Sequence, residues 1–211
     1  MTTAPATLTR PTPPPLPPED ATDGGLTAEQ LQQWADANLR ARKVLKAAKV
    51  AAFNGWTVGF FAAASAIFAL FSIPTALLCA GLAFVTYNEF RGRKLLLRFE
   101  PRATRVLGWN QLVLMGLLIA YGAWHIGAAY LGPSPYEQAI RTTPQLEKML
   151  RPVENLYTLL TVVVYGGVIV GTMIFQALNA AYYFTRAKRL RAYLAETPDW
   201  IVDLQRQSHV V

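Results

Sequence analysis

The chain reads as an all-α, polytopic membrane protein with four transmembrane helices. Three observations carry that reading. Residues 50–88, 106–136 and 155–185 hold no charged side chain and are strongly apolar, and about 20 apolar residues suffice for a helix to cross the hydrocarbon core. Of the 211 residues only 16% are charged, against about 25% in a soluble domain. The basic residues of this +7 chain gather beside the apolar stretches. That placement suits orientation in a bilayer with anionic headgroups rather than nucleic-acid binding.

Residues 1–25 are low in complexity, with Pro-Thr-Pro-Pro-Pro-Leu-Pro-Pro at 11–18. Such a segment buries too little apolar surface to fold, so a disordered Pro-rich tail is expected, one that a partner module can also read as a polyproline II peptide. A helix is expected to start at Thr27. Thr27-Ala28-Glu29-Gln30 spells a capping box, in which the hydroxyl accepts from a backbone amide and Gln30 reaches back. Over 26–49 the pattern predicts an amphipathic interfacial helix running into span 1: Leu31, Trp34, Ala41 and Leu45 fall on one side, Arg40, Lys43 and Lys46 on others,.

The uncharged stretch 50–88 has 39 residues, about twice what one crossing needs. Phe71-Ser72-Ile73-Pro74 near its middle marks a tight turn, because proline disfavours helix before it and opens a new one well. Span 1 is therefore placed at 51–71 and span 2 at 74–90, the latter roughly 25 Å long. The connection that follows carries Arg91, Arg93, Lys94, Arg98, Arg102 and Arg105 around a Leu95-Leu96-Leu97 run and Phe99. It is expected to lie in the headgroup layer, with those six cations on anionic lipid.

Span 3 is placed at 107–131 and span 4 at 155–184, within a transmembrane domain of 50–185. Between them Thr143 can cap a helix with Pro144 in its first turn, and Pro152 can open span 4 with Glu154 near its N-terminus. Residues 186–211 read as a basic helical tail, span 4 running on as helix to about 195. Thr197-Pro198-Asp199 then starts a short helix whose Trp200, Ile201 and Leu204 need a surface to cover.

With four spans, Arg40, Arg42, Lys43, Lys46 and Lys49, the six cations of 91–105, and Arg186, Lys188, Arg189 and Arg191 share one side. Arg141, Lys148 and Arg151 face the other, fifteen cations against three. The positive-inside rule then puts both termini in the cytoplasm of a cell-membrane protein.

Polar residues inside spans are the default place to look for function. Asn54, Asn88, Glu89, Asn110, Gln111, Gln176 and Asn179 all fall in the basic half of the bundle under this topology, which predicts a polar cluster hydrogen-bonded between helices. Small residues at four-residue spacing, among them Gly55/Gly59, Gly116/Ala120 and Gly167/Gly171, allow close helix approach. His125 and the single Cys79 read as structural, and no cofactor, metal set or catalytic motif is visible. The expected function is a structural or accessory subunit of a membrane complex, not an enzyme, with a protein partner or a second copy of itself. The alternative is a small oligomeric transporter or channel whose vestibule is lined by the polar cluster.

Overall fold

The computed structural model describes residues 26–132 and 136–208. The Pro-rich segment 1–25 lies outside them. The described residues form helices and no strand, in the order α1 (Ala28–Ala69), α2 (Ile73–Leu97), α3 (Ala103–Leu131), α4 (Glu137–Thr142), a 3-10 turn (Pro144–Leu146), α5 (Glu147–Glu196) and α6 (Asp199–Ser208). Among them α1, α2, α3 and α5 are long and apolar enough to cross a membrane, the architecture of a multi-pass membrane protein.

Short connections fold the long helices back on one another. The α1–α2 turn is three residues, with Ser72 at the N-cap and Pro74 in the first turn of α2, where its missing N–H and fixed φ are tolerated. Contacts run in antiparallel register: Cys79 Sγ donates to the Ala62 carbonyl at 3.4 Å, Leu117 packs over Gly81 and Leu107 over Gly92, and Ile169 packs over Gly122. The order across the bundle is thus α1, α2, α3, α5.

Two helices outrun any bilayer. α1 has 42 residues and α5 has 50, about 63 and 75 Å at 1.5 Å per residue. Their surplus lengths meet at the basic end, where a core forms from Ala41, Val44, Ala47 and Ala48 of α1, Leu95, Leu96 and Phe99 of α2 and its turn, Leu107 of α3, Leu190 and Tyr193 of α5, and Val202 of α6. A smaller core at bilayer depth joins Ala62, Leu82, Val85 and Leu114.

This outer core corrects several expectations. The capping box forms as expected, with Thr27 Oγ1 accepting from Gln30 N–H at 3.3 Å and Gln30 Oε1 accepting from Thr27 N–H at 2.9 Å. The helix it opens runs unbroken into span 1. Its buried face, however, is the small-residue stripe Ala37, Ala41, Val44, Ala47 and Ala48, while Leu31 is exposed. The segment 91–97 is not loop but the last two turns of α2, about 38 Å long over 25 residues,. Leu95, Leu96 and Phe99 are buried inside the protein, not laid on lipid. α5 starts before Pro152, which sits inside the helix; Glu147, not Glu154, occupies the first turn and pairs with Arg151 at 2.8 Å. In α6 the covered residues are Ile201, Val202 and Gln205, and Leu204 is exposed.

Candidate functional site

The polar residues of the spans converge where α2, α3 and the α1–α5 pair come to one level. Glu89 of α2 is fully buried, beside Asn110 and Gln111 of α3, which are nearly so. Asn110 Nδ2 donates to Glu89 Oε1 at 2.8 Å and also to the Val85 carbonyl at 3.0 Å. Gln111 Nε2 donates to the same carboxyl oxygen at 2.6 Å. Consecutive residues on a helix point about 100° apart, so both amides reach one acceptor only because that acceptor sits in the groove between them. Close packing supplies the groove. A Cβ on Gly55 would stand 3.2 Å from Glu89 Cβ, so glycine there lets α1 approach α2 at this depth.

A second pair lies at the same level. Asn54 Nδ2 of α1 donates to the Tyr183 hydroxyl oxygen of α5 at 3.3 Å, and Tyr183 is fully buried. Tyr183 was not among the sequence-derived residues. Its signal was present, since it follows Gln176 and Asn179 at i+7 and i+4 on one face of α5,.

The remaining polar residues go elsewhere. Asn88 turns back on its own helix, Nδ2 donating to the Phe84 carbonyl at 3.2 Å. Gln176 lies about two turns along α5 from Tyr183, with its Oε1 buried and without a hydrogen-bond partner. Asn179 is half-buried on the same face. Of the seven residues, then, Glu89, Asn110 and Gln111 are joined to one another, and Asn54 is joined to Tyr183.

Within the network two acceptors stay unused, Glu89 Oε2 and Asn110 Oδ1. Neither Asn110 nor Gln111 carries a positive charge, so the carboxyl is held by neutral donors. Such a set of donors fixes the position of the Glu89 side chain between the two helices. Among the described residues no three His, Cys, Asp or Glu side chains come together. His125 stands apart, far from the basic end of α3. Its ring stacks on Tyr165 with centroids 4.5 Å apart and planes 3° from parallel, and Tyr121 meets it edge-on at 4.5 Å.

The six cations of the α2–α3 junction divide by position. Arg91, Lys94, Arg98, Arg102 and Arg105 are exposed and Arg93 is half-buried. Arg102 is engaged by Glu100 at 2.7 Å. Arg91 and Arg105 flank an open cavity of about 350 Å³ between α2 and α3, whose walls also include Phe84, Asn88, Trp109, Asn110 and Val113.

Set against known proteins, the chain matches no family model, no curated protein and no solved structure.

Proposed function

We propose that the chain is a structural or accessory subunit of a membrane assembly, seated in the cell membrane with both termini in the cytoplasm. The orientation rests on the fifteen-to-three cation bias,. It places the outer core of α1, α5 and α6 on the cytoplasmic side.

The observation that carries the subunit reading is the open flank of α5. At bilayer depth α5 lies along α3, through Gly122–Ile169 and the Tyr121–His125–Tyr165 stack. Its other faces present Val163, Val170, Ile174, Phe175 and Leu178 outward. A Cβ added at Gly166, Gly167 or Gly171 would meet nothing within 4 Å. Glycines on a transmembrane helix carry an entropic cost that a close helix neighbour offsets, and among the described residues no such neighbour stands against these three. The polar cluster agrees: the side-chain amides of Asn54, Asn110 and Gln111 donate to protein groups on neighbouring helices, which holds helices together. A vestibule for a transported solute needs those groups free and wet.

The test is purification of the tagged full chain from its own membrane in gentle detergent, with mass spectrometry of what co-purifies. A second polypeptide at stoichiometric level, lost when Gly167 and Gly171 are both replaced by leucine, is expected. Recovery of this chain alone, monomeric or self-associated, together with solute flux in proteoliposomes, overturns the reading in favour of a transporter.

A further inference from the structure

We infer that the groove between α2 and α3 at the basic end is a binding site for one anionic phospholipid, its phosphate held between Arg91 and Arg105. The inference rests on Arg91 and Arg105 lying at headgroup depth, as in the topology proposed above.

The stripes that form the groove have a fixed chemical order. On α2, Phe84, Asn88 and Arg91 follow one another at i, i+4 and i+7. On α3, Arg105, Trp109 and Val113 follow at i, i+4 and i+8 and run the opposite way. Antiparallel packing therefore puts both guanidinium groups at one end and the apolar side chains at the other. The two cations come from different helices, so the groove between them, not a single helix face, gathers the charge.

The same two helices form a second hollow further from the cations. This open cavity of about 510 Å³ is lined by Leu77 and Leu78 of α2 and Leu117 and Trp124 of α3. These residues prolong the same two stripes, Leu77 lying one i−7 step from Phe84 and Leu117 one i+4 step from Val113,. An occupant with an anionic head and a long apolar body fits this sequence of walls.

Charge complementarity singles out an anionic head. Among the described residues neither Arg91 nor Arg105 has a carboxylate partner, whereas Arg102 is met by Glu100, Arg151 by Glu147 and Arg206 by Asp203. Arginine favours phosphate through its planar fork of donors, and basic pockets between transmembrane helices at the membrane surface suit phospholipid heads. Phe84, Trp109 and Val113 are each about half exposed in the isolated chain. A small soluble anion would leave them uncovered, while an acyl chain covers them. Trp109 stands between the cations and the apolar wall, the depth at which an amphipathic ring is at ease.

The experiment is native mass spectrometry of the full-length protein in detergent, titrated with palmitoyl-oleoyl phosphatidylglycerol and, separately, with the phosphatidylcholine of the same chains. One phosphatidylglycerol is expected to stay bound at concentrations where phosphatidylcholine does not. Each cation near an anionic head is worth about fivefold in affinity, so the double variant R91A/R105A should weaken retention about 25-fold. The equally charged control K94A/R98A, both positions exposed and outside the groove, should weaken it less than threefold. Val113→Trp, which fills the apolar wall and leaves both arginines in place, should also displace the lipid. Equal losses from the two double variants would mean a diffuse basic surface and overturn the site. So would competition by inorganic phosphate at the lipid's own concentration, or retention unaffected by Val113→Trp. Because binding in a micelle does not depend on membrane sidedness, failure here leaves the topology untouched. Cysteine labelling from either side at Lys94 and Lys148 tests that separately.

Discussion

Asn110 bridges two groups on α2 with a single amide, its Nδ2 lying 2.8 Å from Glu89 Oε1 and 3.0 Å from the Val85 carbonyl. Val85 and Glu89 are one helical turn apart, so the bridge takes a backbone carbonyl that already serves its own helix and adds a donor from α3. It fixes the sliding position of α3 along α2. Apolar packing alone does this poorly between two membrane helices, because leucine against leucine and leucine against lipid are nearly equivalent.

The value of that network should appear in the contrast between two substitutions. Glu89→Ala removes the acceptor shared by Asn110 and Gln111; Asn110 Nδ2 keeps the Val85 carbonyl, but the buried Gln111 amide is left unmet, which costs about 1–3 kcal/mol. Glu89→Gln keeps an oxygen where Oε1 stands and should cost less than about 1 kcal/mol. Thermal unfolding of detergent-solubilised protein reads both. Equal destabilisation by the two variants would assign the role to the negative charge rather than to hydrogen bonding.

Phe99 ends α2 in a left-handed conformation, φ 53°. Its N–H donates to the Leu96 carbonyl at 3.0 Å and that of Glu100 to the Leu95 carbonyl at 2.9 Å, the Schellman pattern that usually employs glycine. An L side chain pays about 1–2 kcal/mol there. Phenylalanine is kept because its ring is fully buried and stacks on Tyr193, centroids 5.0 Å apart. Phe99→Ala should therefore destabilise by about 3–5 kcal/mol. Phe99→Gly loses the same ring but relieves the backbone, and should be more stable than the alanine variant by about 1 kcal/mol. Alanine matching or exceeding glycine in chemical denaturation would exclude the strain.

The number of long helices and their order were legible because each crossing needs a run of apolar residues, and the turn at Ser72–Pro74 has its own chemistry. Glu89, Asn110 and Gln111 were legible because a polar side chain stands out in an apolar helix. What escaped was whatever depends on which apolar surface is covered by protein and which by lipid. Leu95, Leu96 and Phe99 read the same in either setting, and only the approach of Tyr193 and Leu107 makes them interior. Tyr183 escaped because its ring counts as apolar while its hydroxyl finds Asn54 only in three dimensions. The reach of α1 and α5 past the apolar stretches was legible, because Arg and Lys are good helix formers and the change in composition near residues 49 and 186 does not stop a helix; what escaped was that these extensions pack on one another as a core. Pro152 misled because a proline that opens helices well is also tolerated near a solvated helix end.

Two glycines on the polar side of the bundle differ in what faces them. A Cβ at Gly92 would stand 2.4 Å from Leu107 Cδ2 and 2.5 Å from its Cγ, and Leu107 is fully buried with no room to retreat. At Gly108 the clash is with Phe184 Cε1 at 2.6 Å, a ring 40% exposed that can swing outward. Gly92→Ala should destabilise by about 1–3 kcal/mol. Gly108→Ala should fall within about 1 kcal/mol of the parent, the ring's movement being set against alanine's better helix propensity. Thermal midpoints of the two variants, measured side by side, decide; a tolerated Gly92→Ala would refute the tight α2–α3 approach at Leu107.

The clasp between α6 and α1 should weaken in alkali. The Tyr193 hydroxyl donates to Gln205 Oε1, and Gln205 Nε2 donates onward to Asn38 Oδ1 at 2.7 Å, so one chain of hydrogen bonds links α5, α6 and α1. Burial raises the Tyr193 phenol above its ordinary value of 10.0, because the charged phenolate loses its hydration. The folded protein thus holds this proton more tightly than the unfolded chain. Its stabilising contribution is complete below about pH 10 and is lost as pH climbs through the raised folded value. A phenolate also has no proton to give Gln205. Tyr193→Phe removes the hydrogen bond at every pH, worth about 1 kcal/mol. The expected result is a gap in unfolding midpoint between parent and Tyr193→Phe that is steady from pH 7 to 9 and narrows above 10. Subtracting the variant cancels the other tyrosines, so a gap that holds or widens in alkali would show that Tyr193 contributes packing and not a donated proton.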